Sequence, residues 1–291
     1  MSDQRDTSGT ADTTGNPTAV ALPDALERVA ETAPLVAAVT NGVTVAAVAQ
    51  VIDNWGGSPV MSEDRREIDE FVAAAQAVLL NVGTVTERQE TTMVDAADAA
   101  AELGVPVVLD PVGVGATGTR DRVAGTLADR DVAVINGNYG EITALTGEDA
   151  EVRGVESVGE YDDIAATAVA CAQQYETVVV ASGETDVVAT ETAAYEVATG
   201  TPEMAEVVGT GCTLGGTLAA FLGALPPERA ALAGTAAFGL AGEAAAGGEF
   251  GETHGPASFQ TAFRDAVAGL AAREPTATDR ITRVLATDDD Q

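Results

Sequence analysis

The chain contains no lysine. All 14 basic residues among its 291 are arginine, against 46 acidic residues, giving a formal net charge of −32. A lysine-dependent phosphate loop is therefore excluded, and no G-x-x-x-x-G-K-[ST] sequence occurs. So little positive charge also argues against nucleic acid or an anionic lipid surface as a partner. Cysteine is confined to Cys171 and Cys212, too few for a disulfide scaffold. The N-terminus has no basic start followed by an apolar core, so the expected location is a reducing cytoplasm. Long hydrophobic runs are missing as well. The least polar long stretch, Ala230 to Gly248, is mostly alanine and glycine, contains Glu243, and reads as a buried or interface helix, not a membrane span. The single histidine, His254, precedes Gly255-Pro256 and reads as a helix entry rather than a catalytic group.

What is present is a regular alternation. Short apolar, β-branched runs at Leu35–Thr40, Ala77–Val82, Val105–Asp110, Asp131–Ile135 and Thr177–Ala181 read as strands. Helix-like segments separate them, at Val43–Asp53, Arg65–Ala75, Glu87–Leu103, Arg120–Arg130 and Glu160–Gln174. Continuous apolar strands of this kind are buried on both faces, which predicts a largely parallel central sheet flanked by helices. Asp186–Ala189 and Ala194–Ala198 form an expected hairpin. The C-terminal third is expected to be helical, at Cys212–Leu225, Pro227–Ala246 and Ser258–Ala272. Residues 1–19 and 287–291 read as acidic, disordered tails around one domain spanning residues 20–286.

In such sheets, ligands bind beyond the carboxyl ends of the strands. Polar or glycine-rich stretches fall there: Thr40-Asn41-Gly42, Asn81-Val82-Gly83, Asp110-Pro111-Val112-Gly113, Asn136-Gly137-Asn138 and Ser182-Gly183-Glu184. A later stretch, Gly209-Thr210-Gly211-Cys212, opens a helix. Backbone N–H groups at such a start, with the positive end of the helix dipole, make an anion hole from Gly209, Thr210 and Gly211. Cys212 would face the bound anion. Asn138 and Glu141, spaced i and i+3, share the first turn of a helix, where Glu141 is either a metal-site acid or a helix-start acid. Asp110 ends a strand before proline and is either a cleft carboxylate or a turn residue.

Taken in order, Ala33-Pro34-Leu35-Val36 with Thr40-Asn41, Gly57-Ser58-Pro59-Val60-Met61, Leu109 to Thr117 with Arg120, Gly137 to Ile142, Ser182-Gly183-Glu184, Gly209 to Cys212 and Gly255 to Phe259 resemble the hydroxyethylthiazole kinases, of the ribokinase-like α/β fold. The resemblance implies ATP-dependent phosphorylation of the hydroxyl of 4-methyl-5-(2-hydroxyethyl)thiazole for thiamine biosynthesis or salvage. It implies Cys212 as the catalytic residue, where sugar kinases of the fold carry aspartate. A helix start lowers a thiol's pKa, so a thiolate base is physically possible there. By the same resemblance Met61, Gly209 and Asn41 bind the substrate, Arg120, Ser182 and Asn138 bind ATP, and Glu141 and Asp110 hold Mg2+ through water. A homotrimer with sites between subunits is also implied. Residues 42–50 lack the further asparagines and phenylalanine frequent in the family, which implies a smaller, less polar pocket wall. The competing readings are another kinase of the fold, acting on hydroxymethylpyrimidine or a pyridoxal-like alcohol, a nucleotide-dependent hydrate dehydratase, and a non-catalytic sensor. A dinucleotide oxidoreductase is disfavoured, because Gly209-x-Gly211 comes late and no acid-tipped second strand follows.

The charge excess itself points to a high-salt cytoplasm. At molar salt the Debye length falls to ~3 Å, and neighbouring carboxylates cease to repel strongly. Thermal unfolding followed by circular dichroism will therefore have a higher midpoint in molar KCl than in dilute buffer. Equal midpoints would refute the halophilic reading.

Overall fold

A computed structural model describes residues 21–147, 152–153, 156–157 and 163–287. The expected tail at 1–19, all but Thr287 of the one expected at 287–291, and the start of the helix expected from Glu160 lie outside the described residues; the Thr287 N–H donates to the Thr192 carbonyl at 2.9 Å. Among the described residues the strands are β1 (Leu35–Val39), β2 (Ser58–Met61), β3 (Ala77–Asn81), β4 (Val107–Asp110), β5 (Val134–Asn138), β6 (Val152–Arg153), β7 (Glu156–Ser157), β8 (Val178–Ser182), β9 (Asp186–Ala189), β10 (Ala193–Val197) and β11 (Ile281–Ala286). The helices are α1 (Leu22–Thr32), α2 (Val45–Asn54), α3 (Ile68–Ala74), α4 (Glu87–Leu103), α5 (Gly118–Ala128), α6 (Tyr139–Leu145), α7 (Ile164–Tyr175), α8 (Thr210–Leu222), α9 (Pro227–Ala246) and α10 (Pro256–Gly269).

Nine strands form one sheet in the order β11-β10-β9-β8-β5-β4-β3-β1-β2, with β6 and β7 as a separate pair. The strands from β2 to β8 run parallel, whereas β9, β10 and β11 add on antiparallel. Successive residues of a strand point to opposite faces, and each inner strand therefore feeds two cores. Val36 and Ala38 of β1, Leu79, Val108, Val134 and Val180 face α1, α2, α8, α9 and α10. Ala37 and Val39, Val78, Leu80, Leu109, Ile135 and Val179 face α3 to α7. The result is a three-layer sandwich whose strand carboxyl ends share one edge.

Local signals account for most boundaries. Helix α4 starts with a capping box between Thr86 and Gln89 and stops at Gly104, in the left-handed region at φ 69°. Helix α9 is buried along most of its length, as expected of residues 230–248. No described helix is long and apolar enough to cross a membrane. Helix α1 and strands β2, β6, β7 and β11 had no reading in the sequence. Strand β2 carries Pro59, which an edge strand tolerates because one side needs no ladder partner. Strand β11 closes the opposite edge, and Thr282, Arg283 and Val284 are exposed.

Helix α8 is fastened below its glycine start by aromatic packing. Phe221 is fully buried and meets Trp55 edge-on, with ring centroids 5.4 Å apart, while Trp55 Nε1 donates to Thr217 Oγ1 at 2.9 Å. Phe221→Ala removes one wall of this cluster. Denaturant unfolding in high KCl should show a loss of about 3–5 kcal/mol.

Candidate active site

Each parallel strand delivers one side chain to the common edge, polar in every case but that of β2. Asn41 follows β1, and Met61, Asn81, Asp110, Asn138 and Ser182 end β2, β3, β4, β5 and β8. The register places Asn81 level with Asp110 and Asn138 level with Ser182. The start of α8 lies against this row.

Gly209 is the N-cap of α8 at φ 90°, in the left-handed region, and a Cβ there would lie 2.5 Å from Thr44 Cγ2. Both its backbone conformation and its close approach to Thr44 require glycine. The Thr210 N–H is directed to the Val207 carbonyl at 3.3 Å. Among the described residues no acceptor meets the N–H of Gly209, Gly211 or Cys212, and these are the open donors. Of the three amides expected from the sequence, those of Gly209 and Gly211 are unbonded and that of Thr210 is taken by Val207.

Cys212 sits inside a continuous polar network. Asn41 Nδ2 reaches Thr44 Oγ1 at 2.8 Å, Asn81 Oδ1 at 2.9 Å and Cys212 Sγ at 3.5 Å. Asn41 Oδ1 accepts the N–H of Val43 and of Thr44. Asn81 Nδ2 then donates to Asp110 Oδ2 at 2.5 Å. The amide of Asn41 is thus engaged within the protein. Burial first, and then the adjacent Asp110, pushes the Cys212 thiol up to about 12, in spite of hydrogen bonds from Asn81, Thr44 and Asn41. The lowered pKa expected of a helix start is reversed, since desolvation outweighs the dipole.

Asp110 is buried, and desolvation together with the charge of Glu141 holds its carboxyl well above the usual range. Glu141 and Asn138 form a capping box: Asn138 Oδ1 accepts the Glu141 N–H and Glu141 Oε2 accepts the Asn138 N–H, both at 2.9 Å. Glu141 Oε1 reaches further, to the Gly113 N–H at 2.6 Å. It therefore ties the turn after β4 to the start of α6, beyond a helix-start role. Desolvation pushes its pKa up to about 7, against the Gly113 and Asn138 amides and the charge of Arg120. Arg120 leaves α5 to donate from Nη1 to the Val112 carbonyl and covers Gly113 so closely that a Cβ there would strike its guanidinium. Arg122 instead pairs with Glu90 on α4. The two arginines are thus separated by environment, and only Arg120 faces the site.

A cleft of about 630 Å³ opens beside α8, lined by Ser182, Glu184, Thr199, Thr201, Thr210, Gly211 and Phe238 among others. Its volume suits a nucleotide-sized ligand. Ser182 Oγ donates to the Gly137 carbonyl at 3.4 Å on its floor. Met61 lies at the far end of the row, on edge strand β2, partly buried. The sequence had placed Asn81 and Asn136 only in polar strand-end stretches and Thr44 inside the helix expected at Val43–Asp53. Asn81 joins Asn41 to Asp110, and Asn136 Nδ2 donates to the Gly211 carbonyl at 3.3 Å. Their signal was position at strand ends.

Sheet order, helix layers and the polar strand-end row define the ribokinase-like class. A ribokinase-like superfamily protein from Enterococcus faecalis superimposes with a TM-score of 0.62 over 87% of this chain and 94% of that one, at 15% identity. The profile of the hydroxyethylthiazole kinase family matches residues 26–273, and the chain belongs to that family. A hydroxyethylthiazole kinase of Haloquadratum walsbyi is 59% identical over 267 residues, covering 90% of this chain and 93% of the relative. The structure of the hydroxyethylthiazole kinase protein from Pyrococcus horikoshii superimposes with a TM-score of 0.81 at 33% identity, over 90% of this chain and 98% of that one.

The ordinary pKa of Glu141 is 4.5, and a folded value near 7 means that the proton is held more tightly in the folded state. The resulting stabilisation is complete below about 4.5 and is lost as pH rises through about 7. Carbon-13 titration of glutamate-labelled, ligand-free protein in high KCl should reveal one side-chain carboxyl with a midpoint near 7. Glu141→Gln should remove that signal; a full set of glutamates titrating near 4.5 would contradict the burial argument.

Proposed function

We propose that the chain transfers the terminal phosphoryl group of ATP to the hydroxyl of a thiazole alcohol, 4-methyl-5-(2-hydroxyethyl)thiazole. The observation that carries this reading is the start of α8, with unmatched amides at Gly209, Gly211 and Cys212, set between the nucleotide-sized cleft and the Asn41–Cys212–Asp110 network. A 13-residue helix starting on such amides favours an anion. Family membership supports the same chemistry and weighs against the pyridoxal-type, hydroxymethylpyrimidine and dehydratase readings.

Phosphoryl transfer asks mainly for positioning and charge stabilisation. In this reading the amides of Gly211 and Cys212 hold the transferring group, and Arg120 contacts the phosphates from the far side. Ser182 and Asn138 face the nucleotide. Gly209 and Met61 contact the alcohol, and Asn41 holds Thr44 and Cys212 in place for it. Cys212 acts as a neutral thiol that orients the hydroxyl, because its environment opposes a resting thiolate.

Asp110 and Glu141 fit a magnesium ion held through water. They are buried carboxylates whose charges oppose each other, and the Oδ1 of Asn136 in the same layer is buried with no hydrogen-bond partner. Mg2+ keeps several of its waters and needs only one or two carboxylates. When bound, it would neutralise charge on the phosphates. The exposed apolar side chains of Val43 and Val208, next to Thr44 and Gly209 in the chain, are compatible with a trimer with sites between subunits.

Coupled ADP release in molar KCl with Mg2+ tests the assignment. The thiazole alcohol should be phosphorylated in preference to hydroxymethylpyrimidine or pyridoxal. Cys212→Ala should slow the chemical step, by about tenfold if the thiol supplies one oriented contact in the transition state. Cys212→Asp should keep or raise the rate. An unchanged single-turnover rate in Cys212→Ala would remove Cys212 from the chemistry.

A further inference from the structure

Helix α9 forms a shallow seat at the side of the cleft away from α8. A Cβ on Gly239 would strike Thr199, and one on Gly242 would strike Met204 Sδ. The segment from Thr199 to Met204 therefore rests directly on the helix backbone, and it also forms a wall of the cleft. Gly200, at φ 112°, turns the chain there in the left-handed region and brings no side chain to anchor it.

The anchor comes from elsewhere. Glu243, one helical turn beyond Gly239, accepts the Gly200 N–H on Oε1 at 3.0 Å. The same oxygen accepts Arg280 Nη2 at 2.5 Å, and Oε2 accepts Nη1 at 3.4 Å. Arg280 Nε donates to the Ala198 carbonyl at 2.6 Å, and the Ala198 N–H returns to the Arg280 carbonyl at 2.8 Å. Helix α9, residues 198–200 and the entry to β11 are thereby closed into one set of charge-assisted bonds. A two-pronged arginine–carboxylate pair bonded to backbone on both sides is geometrically restrictive, unlike a lone surface pair.

We propose that Glu243 and Arg280 are positioning residues for the nucleotide, clamping the 199–201 wall so that the cleft keeps its width for the base and ribose. This rests on the kinase reading above. The phosphates belong at the α8 start, whose Thr210 and Gly211 also line the cleft, and the remainder of the nucleotide then extends along the cleft toward Gly200. A loosened wall costs contact with the nucleoside while leaving the phosphate amides, Cys212 and the alcohol site untouched.

Glu243→Ala should weaken calorimetric ADP binding and raise the KM for ATP by about tenfold, as expected when a preorganised wall must be ordered on binding. The kcat should stay within about twofold of the parent, and the KM for the alcohol should not move, since transition-state contacts are intact. Inorganic pyrophosphate should bind both proteins equally. Glu243→Gln, which keeps an oxygen for the Gly200 N–H, should recover most of the ADP affinity. Unchanged ADP affinity, or kcat and both KM values shifting together, overturns the proposal. If Glu243→Ala does not fold, Arg280→Met decides by the same KM split, with the same outcomes counting for and against. Absence of ADP release in the parent protein would count against the kinase reading alone, because ADP titration still reads the clamp.

Discussion

The contact between Gly209 and Thr44 sets the geometry of the working edge. A side chain at Gly209 cannot be accommodated, and so the first turn of α8 is pressed against the turn that follows β1. From Thr44 the constraint passes to Asn41, from Asn41 to Asn81, and from Asn81 to Asp110. Three neighbouring strands and one helix start are therefore fixed by side-chain hydrogen bonds at their ends. The members are buried, and a buried polar group left unmatched is costly, which makes the network cooperative. The two apolar cores beneath it hold the layers together; the polar chain sets their alignment at the edge.

A protein with a net charge of −32 has an electrostatic difficulty with a triphosphate. Its arginines offer limited help, since Arg65, Arg122, Arg130 and Arg273 are engaged with Asp95, Glu90, Asp98 and Glu249. Attraction for the phosphates must then come from sources that carboxylates elsewhere do not cancel. In the proposed reading the α8 backbone supplies one, at a fixed place, and Arg120 over the Gly113 turn supplies another. Short-range donors of this type are also less sensitive to salt than a diffuse basic surface, because screening acts mainly over distances beyond the Debye length. An acidic exterior and an anion-binding interior are thus compatible in concentrated salt.

Much of this was readable in the residues. Helices α4 and α9 match their expected limits, because a capping box, a terminal glycine and Pro226-Pro227 mark them locally. Strands β1, β3 and β8 were legible as apolar runs because parallel strands are buried on both faces. Edge elements were not: β2 holds a proline, and β11 is exposed on most residues, so neither has the burial pattern of a strand. For the site, Gly209, Asp110, Glu141 and Cys212 were visible as strand-end or helix-start residues. The protonation of Cys212 was not, because it depends on what surrounds the helix start in three dimensions. The partners of Asn41 and the separation of Arg120 from Arg122 are likewise long-range facts. Glu243 looked like a lone charge in an alanine-rich helix, and its link to Gly200 spans 43 residues.

The same reasoning explains why a thiol suits position 212 in the ligand-free protein. Desolvation already raises the pKa of both Asp110 and Glu141, and the charge of Glu141 raises that of Asp110 further. A third carboxylate at the α8 start would add to that repulsion whenever no cation or phosphate amide contact offsets it. A neutral cysteine fills the space, hydrogen-bonds to Asn41 and leaves the helix dipole uncompensated. In the proposed reading the positive end of α8 is then kept for the incoming phosphate instead of being spent on a neighbouring side chain. Base strength is given up in exchange, which a loose phosphoryl-transfer transition state tolerates because it demands little proton removal before bond breaking.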